Sequence, residues 1–175
     1  MPKPIRGCWH WTGGSYVPNQ LDKDDYHLLI TGDCELIKMH PFTERLPYSL
    51  SDRNTGTINI AVCGNFGADT KNFGEYPVTW EQVELMIEAT ALVSLLKVVP
   101  YTKWWTHAEY AIEDRYYPLK WDLAILKPDN TNGYISIKSL AAATGTVLRL
   151  LLKEKIADIQ KTDYSKHPLM KEILK

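Results

Sequence analysis

A chain of 175 residues is long enough for one domain with a true hydrophobic core, since domains commonly run to about 100–200 residues. An apolar fraction of 45% argues against a disordered chain, and a formal net charge of −1 gives no electrostatic ground for binding nucleic acid or an anionic membrane. The three cysteines, Cys8, Cys34 and Cys63, form no close pair, so neither a CxxC redox motif nor a dense disulfide framework is present.

The opening MPKPIRGCWHW carries charges without a following hydrophobic stretch, so a secretory leader is not expected and synthesis in the cytoplasm is. No apolar run approaches the ~18 residues of a membrane span. Residues 5–10 form the first predicted strand, ending at His10. The following WTGGSYVPNQLDKDD, with Gly13, Gly14, Pro18 and Asn19, reads as loop. YHLLI (26–30) and ELIKM (35–39) are strands joined by TGDC as a hairpin. The long polar PFTERLPYSLSDRNTG is expected on a groove rim. TINIAVCG (57–64), β-branched and apolar, is the predicted central strand.

A helix is expected from Thr79, where T-W-E-Q pairs Thr79 with Gln82 in a capping box, to about Val98, with Pro100 stopping it. Its apolar positions (Val83, Leu85, Met86, Ile87, Leu92, Leu96) cover more than one stripe, which predicts burial around much of its circumference. Strands over 102–107 and 119–126 follow. From about Ser136 the pattern is helical, with Gly145 a possible break and LRLLLKEKIADIQ the strongest segment. Leu148, Leu151, Leu152 and Ile156 have the spacing to pack that segment against the sheet or another helix. The predicted class is α/β, a single mixed central β-sheet flanked by helices. A core over residues 1–130 would carry a helical C-terminal extension over 131–175, packed on the same domain.

Three strings carry candidate chemistry: CWHW around His10, WTHAE around His107, and KWD ending at Asp122. Two imidazoles and a carboxylate are a normal protein set for a catalytic zinc, with the fourth position left for water. Each residue sits at the end of, or inside, a predicted strand, where a rigid sheet could aim it. None of the strings is specific alone, because a histidine beside tryptophan is more often a packed aromatic than a ligand. His40 and His167 have no motif around them and are expected at the surface. The cysteines read as small core hydrophobes, and Cys8 shares the His10 face of its strand.

The order of these motifs resembles the zinc-dependent N-acetylmuramoyl-L-alanine amidases, the family of bacteriophage endolysins and peptidoglycan recognition proteins. The resemblance spans roughly residues 5–127. It rests on His10 in CWHWTGG, Tyr26-His27 in YHLLI, the asparagine and the glycine-asparagine turn of NTGTINIAVCGNF, His107 in THAE, and Lys120-Trp121-Asp122. In that family cysteine or aspartate occupies the last ligand position, as Asp122 does here. The resemblance implies a Zn2+ cofactor held by His10, His107 and Asp122. It also implies a substrate in the peptidoglycan of the bacterial wall, its glycan strands and stem peptides together. Zinc would lower the pKa of its water from about 15.7 toward roughly 7 and polarise the scissile carbonyl.

Tyr26 and Lys120 are the catalytic residues implied, Lys120 sharing the Asp122 face by the strand period of two. Glu109, two positions after His107, is a candidate acceptor for a ligand imidazole N–H if the strand continues. Trp11, Thr12 and Asn54 are the candidate groove residues. Two departures stand out. The gap between His10 and Tyr26 leaves no room for the helix often found there, which predicts a groove with one wall missing or loop-built. Ala61 and Val62 supply no carboxylate on the central strand, which favours the tyrosine-plus-lysine form of the mechanism. The biological reading is an endolysin released through a holin. A cytosolic anhydro-muropeptide recycling amidase and a non-catalytic peptidoglycan-binding protein are the alternatives.

Overall fold

The computed structural model describes residues 3–47, 53–69, 72–115, 122–123 and 137–175. Strands β1 (Arg6–Trp11), β2 (Leu28–Ile30), β3 (Leu36–Lys38), β4 (Thr57–Val62) and β5 (Trp104–Thr106) form one sheet in the order β3-β2-β4-β1-β5. β4 is the centre, parallel to both β1 and β2, while β1 is parallel to β5 and the hairpin pair β2–β3 is antiparallel. The sheet is therefore mixed, as the sequence predicts. Its middle strand is the one whose run TINIAV is wholly buried.

Strand alternation divides the sheet into two faces. Trp9, Trp11, Ile58, Ile60, Val62, Leu28 and Ile30 belong to the main core. Helix α2 (Trp80–Lys97) covers them, and Trp9 Nε1 donates to its Thr90 Oγ1 at 3.0 Å. Both halves of the expected capping box form at its start, Thr79 with the Gln82 backbone and Gln82 with the Thr79 backbone. At its other end Val98 adopts a left-handed conformation just before Val99 and Pro100. Helix α4 (Ile137–Ile159) lies on α2 and buries Leu148, Leu152 and Ile159 in the same core. This second layer explains why α2 is buried all round through Ala89–Ser94. A short α5 (Met170–Ile173) closes the end of the core through Met170 and Ile173. Among the described residues, no helix is long and apolar enough to cross a membrane.

Several local expectations need correction. The stretch after β1 is not all loop. Gln20–Asp25 form helix α1, started by a capping box between Asn19 and Asp22. Strand β5 stops at Thr106, and His107 opens helix α3 (His107–Glu113), with Thr106 and Glu109 as its capping box. Of the predicted strand 119–126, only Asp122 and Leu123 lie within the described residues, and they form a turn. Gly145 does not interrupt α4. Cys34 is not a core residue: it lies in the β2–β3 turn at φ 57° and is partly exposed, while Cys8 and Cys63 are buried.

Candidate metal centre

The second face of the sheet carries Cys8 and His10 from β1, with Asn59 and Ala61 beside them on β4 in the register Cys8↔Asn59 and His10↔Ala61. A parallel β1–β5 pairing that runs through Trp9↔Thr106 brings the next residue of the chain, His107, to the level of His10. The turn holding Asp122 is anchored where α3 begins, because the Ala108 N–H donates to the Asp122 carbonyl at 3.3 Å. Leu123 is buried in the main core and fixes the other side of that turn.

Three donor atoms converge as a result. His10 Nδ1 and His107 Nδ1 lie 3.1 Å apart, His107 Nδ1 is 3.1 Å from Asp122 Oδ2, and His10 Nδ1 is 3.5 Å from the same oxygen. A tetrahedral zinc with bonds of about 2.0–2.1 Å sets its donors about 3.3 Å apart, so this triangle has the edge lengths such an ion requires. His10 is fully buried, while His107 and Asp122 keep 15% and 16% of their side-chain surface, so the centre is reached from the side of these two.

The supporting contacts fit a metal site as well. His10 Nε2 lies 3.2 Å from Asn59 Oδ1, an acceptor that holds the proton on Nε2 and leaves the Nδ1 lone pair turned toward the triangle. Burial pushes the His10 imidazole below its ordinary pKa against the opposing pull of Asp122, which favours the neutral form that binds metal. For Asp122, burial acts to raise the carboxyl. When the rings carry protons toward it, the His107 charge and hydrogen bonds from both imidazoles outweigh burial and hold the group well below the usual carboxylate range. Cys8 stays a thiol, because burial and then the Asp122 and Glu109 charges raise it. It lies outside the donor cluster.

Tyr26 stands just before β2, its ring centroid 5.1 Å from that of His10. Burial, then Asp122 and the acidic residues Asp22 and Asp25, raise its phenol well above the ordinary value. At neutral pH its hydroxyl is thus a proton-bearing donor. Lys120 lies outside the described residues. Glu109 does not face an imidazole: its carboxylate accepts the Thr106 N–H at 2.9 Å and pairs with Arg149 at 2.9 and 3.0 Å. The strand expected to carry Glu109 onto the His107 face gives way to a helix, which turns the side chain elsewhere.

Of the expected groove residues, Trp11 points to the opposite face, where it meets Phe73 edge-on in the core. One residue beyond His10 on a strand, it has no other course. Asn54 is fully buried and donates to the Pro47 carbonyl at 3.1 Å, tying two loop segments together. Thr12 remains partly exposed, and its Oγ1 accepts the N–H groups of Gly14 and Gly64, both at 3.2 Å, which joins the loop after β1 to the end of β4. His40 and His167 are partly buried against Glu44 and Glu88 at 3.3 Å each.

No family model matches the chain, and no curated protein matches it. Among solved structures it is similar to that of a point mutant of PlyL, with a TM-score of 0.56 and 12% identity over 86% of this chain and 85% of that one. The likeness is one of fold.

Proposed function

We propose that the chain is a zinc-dependent N-acetylmuramoyl-L-alanine amidase. It would cut peptidoglycan at the amide between the lactyl group of N-acetylmuramic acid and the L-alanine that begins the stem peptide, in the role of an endolysin. The observation that carries this reading is the His10–His107–Asp122 triangle, with Asn59 fixing the tautomer of His10. The motif order and the fold shared with PlyL support it.

A zinc ion held by His10, His107 and Asp122 would supply Lewis acidity, acidifying water toward neutral pH and polarising the scissile carbonyl. His10 is held in place by Asn59, so it brings a preset lone pair to the site. Asp122 brings a carboxylate that stays ionised throughout the neutral range. Tyr26, protonated and beside His10, orients water or the carbonyl by donating a hydrogen bond. Lys120 is assigned, on the motif order alone, to the negative charge that develops on the carbonyl oxygen; one such donor contributes roughly 3–4 kcal/mol. Ala61, level with His10, offers no carboxylate as a general base, which favours Tyr26 and Lys120 as the polar helpers.

Helix α1 occupies the gap that suggested an open groove, so the choice of endolysin over a recycling enzyme rests on substrate size and is decided by assay. The test is digestion of purified sacculi by the zinc-loaded protein, with mass spectrometry of the soluble products. Intact stem peptides with a free L-alanine amine and unshortened glycan are expected, abolished by chelation and restored by zinc. Shortened glycan, or no release, contradicts the amidase reading. A strong preference for soluble anhydro-muropeptides over sacculi would overturn the lytic role alone.

A further inference from the structure

Helix α4 packs on α3 and β5 beside the candidate metal centre, and Arg149 is its polar link to them. Arg149 lies largely buried beneath α3, and its guanidinium makes three contacts. Nη1 donates to the Trp104 carbonyl on β5 at 3.2 Å, and Nη1 and Nη2 form a fork on the Glu109 carboxylate at 3.0 and 2.9 Å. Trp104 lies three residues before His107 and Glu109 two residues after it, so a single rigid cation grips the chain on both sides of that histidine. Glu109 extends the grip, because its Oε2 also accepts the Thr106 N–H while the Thr106 hydroxyl accepts the Glu109 N–H. His107 is thus the first residue of a helix whose start is fixed by its own capping box and from outside by Arg149.

Gly145, one turn earlier on α4, shows how closely this is fitted. A Cβ there would overlap the Glu109 carboxylate, so the missing side chain is the space in which the Arg149–Glu109 pair sits. Glycine inside a long helix costs about 1 kcal/mol relative to alanine, and the carboxylate packed against it accounts for its presence.

We propose that Arg149 is a positioning residue for the metal centre: acting through Glu109 and the Trp104 carbonyl, it sets the place and direction of the His107 imidazole, and so makes helix α4 part of the zinc site. The inference rests on the metal reading above. A planar fork is suited to this, since it fixes direction as well as distance, whereas lysine supplies a point charge.

The experiment measures zinc affinity by competition with a chromophoric chelator, alongside the thermal midpoint of the zinc-free protein. The set is wild type, Arg149→Met, Arg149→Lys, Gly145→Ala and Ile159→Ala. Arg149→Met should weaken zinc by about 10–100-fold, the range typical of lost outer contacts to a metal ligand. Arg149→Lys should recover part of the loss. Gly145→Ala displaces Glu109 while improving helix propensity, so it should weaken zinc without lowering the thermal midpoint in proportion. Ile159→Ala, in the α2–α4 core far along the helix from Arg149, should lower the midpoint and leave zinc affinity within about twofold. Wild-type affinity in Arg149→Met or in Gly145→Ala overturns the inference and leaves the ligand assignment standing. The same holds if affinity in every variant merely follows the midpoint. A wild type that takes up no zinc overturns the ligand assignment and this inference with it.

Discussion

Asn59 shows what a single polar atom does inside an apolar strand. It sits between Ile58 and Ile60 in TINIAV, fully buried, where an amide without a partner would cost several kcal/mol. Its Oδ1 lies 3.2 Å from His10 Nε2. Polarity in the middle of that run is a readable signal, but naming its partner requires the β1–β4 register, which no local pattern contains. Asn59→Ala should weaken zinc by about 10–100-fold with the ligands untouched, as a chelator titration would show; unchanged affinity would mean that His10 is oriented without it. Tyr26→Phe and Lys120→Ala should retain zinc, since neither residue is a ligand. Turnover on sacculi should fall in both, by about 100-fold or more for Lys120→Ala. Wild-type lysis by both variants would remove the catalytic assignment and leave only the metal site. The proposed ligands are legible because His10, His107 and Asp122 follow the motif order of the amidase family that the sequence resembles. Arg149 is not, since nothing in LRLLLKEK sets that arginine apart until α3 and β5 are placed against it.

Element boundaries are legible where one signal acts alone. Thr79 and Gln82 stand before a long apolar segment, and α2 starts there. At WTHAE two signals overlap: the aromatic run favours a strand, while Thr106-x-x-Glu109 is a helix start, and the structure uses both in succession. Asn19 and Asp22 form the same box with less familiar residues, so the α1 segment reads as loop in the sequence. Gly145 is tolerated in α4 because a neighbouring helix fills the space above it. His27 is the junction between β2 and β4. Its Nδ1 accepts the Asn59 N–H at 3.0 Å and its Nε2–H donates to the Glu44 carbonyl at 3.2 Å, so the neutral ring stands in for a ladder partner. Burial lowers its pKa to about 4. A depressed histidine pKa means that the unfolded chain binds the extra proton first. The neutral ring therefore contributes fully above pH about 6.5, and that stability is lost as the pH falls through about 4. The full span corresponds to something on the order of 3 kcal/mol. Denaturant midpoints of the zinc-free protein should decline between those two values, and His27→Gln should flatten the decline. An identical pH profile in the variant would show that other groups carry it.

At the scale of the whole molecule, one sheet serves two environments. One face carries Trp9, Ile58 and Ile60 under α2 and α4; the other carries His10, Asn59 and Ala61 toward the candidate metal centre. A one-residue slip of β1 would exchange Trp9 for His10, so the packing that stabilises the fold also aims the ligand. The class of fold is legible because short β-branched apolar runs and longer apolar segments, the best of them capped at Thr79, share the chain. The strand order is not, since β1 lies between β4 and β5, which follow it by roughly 50 and 100 residues and pair with it only in three dimensions. Whether this architecture closes one metal site is read from metal analysis of the purified protein after equilibration with zinc. One zinc per chain is expected for the wild type, with loss of tight binding on alanine substitution of His10, His107 or Asp122. A wild type without bound zinc, or full stoichiometry with undiminished affinity in all three variants, would contradict it.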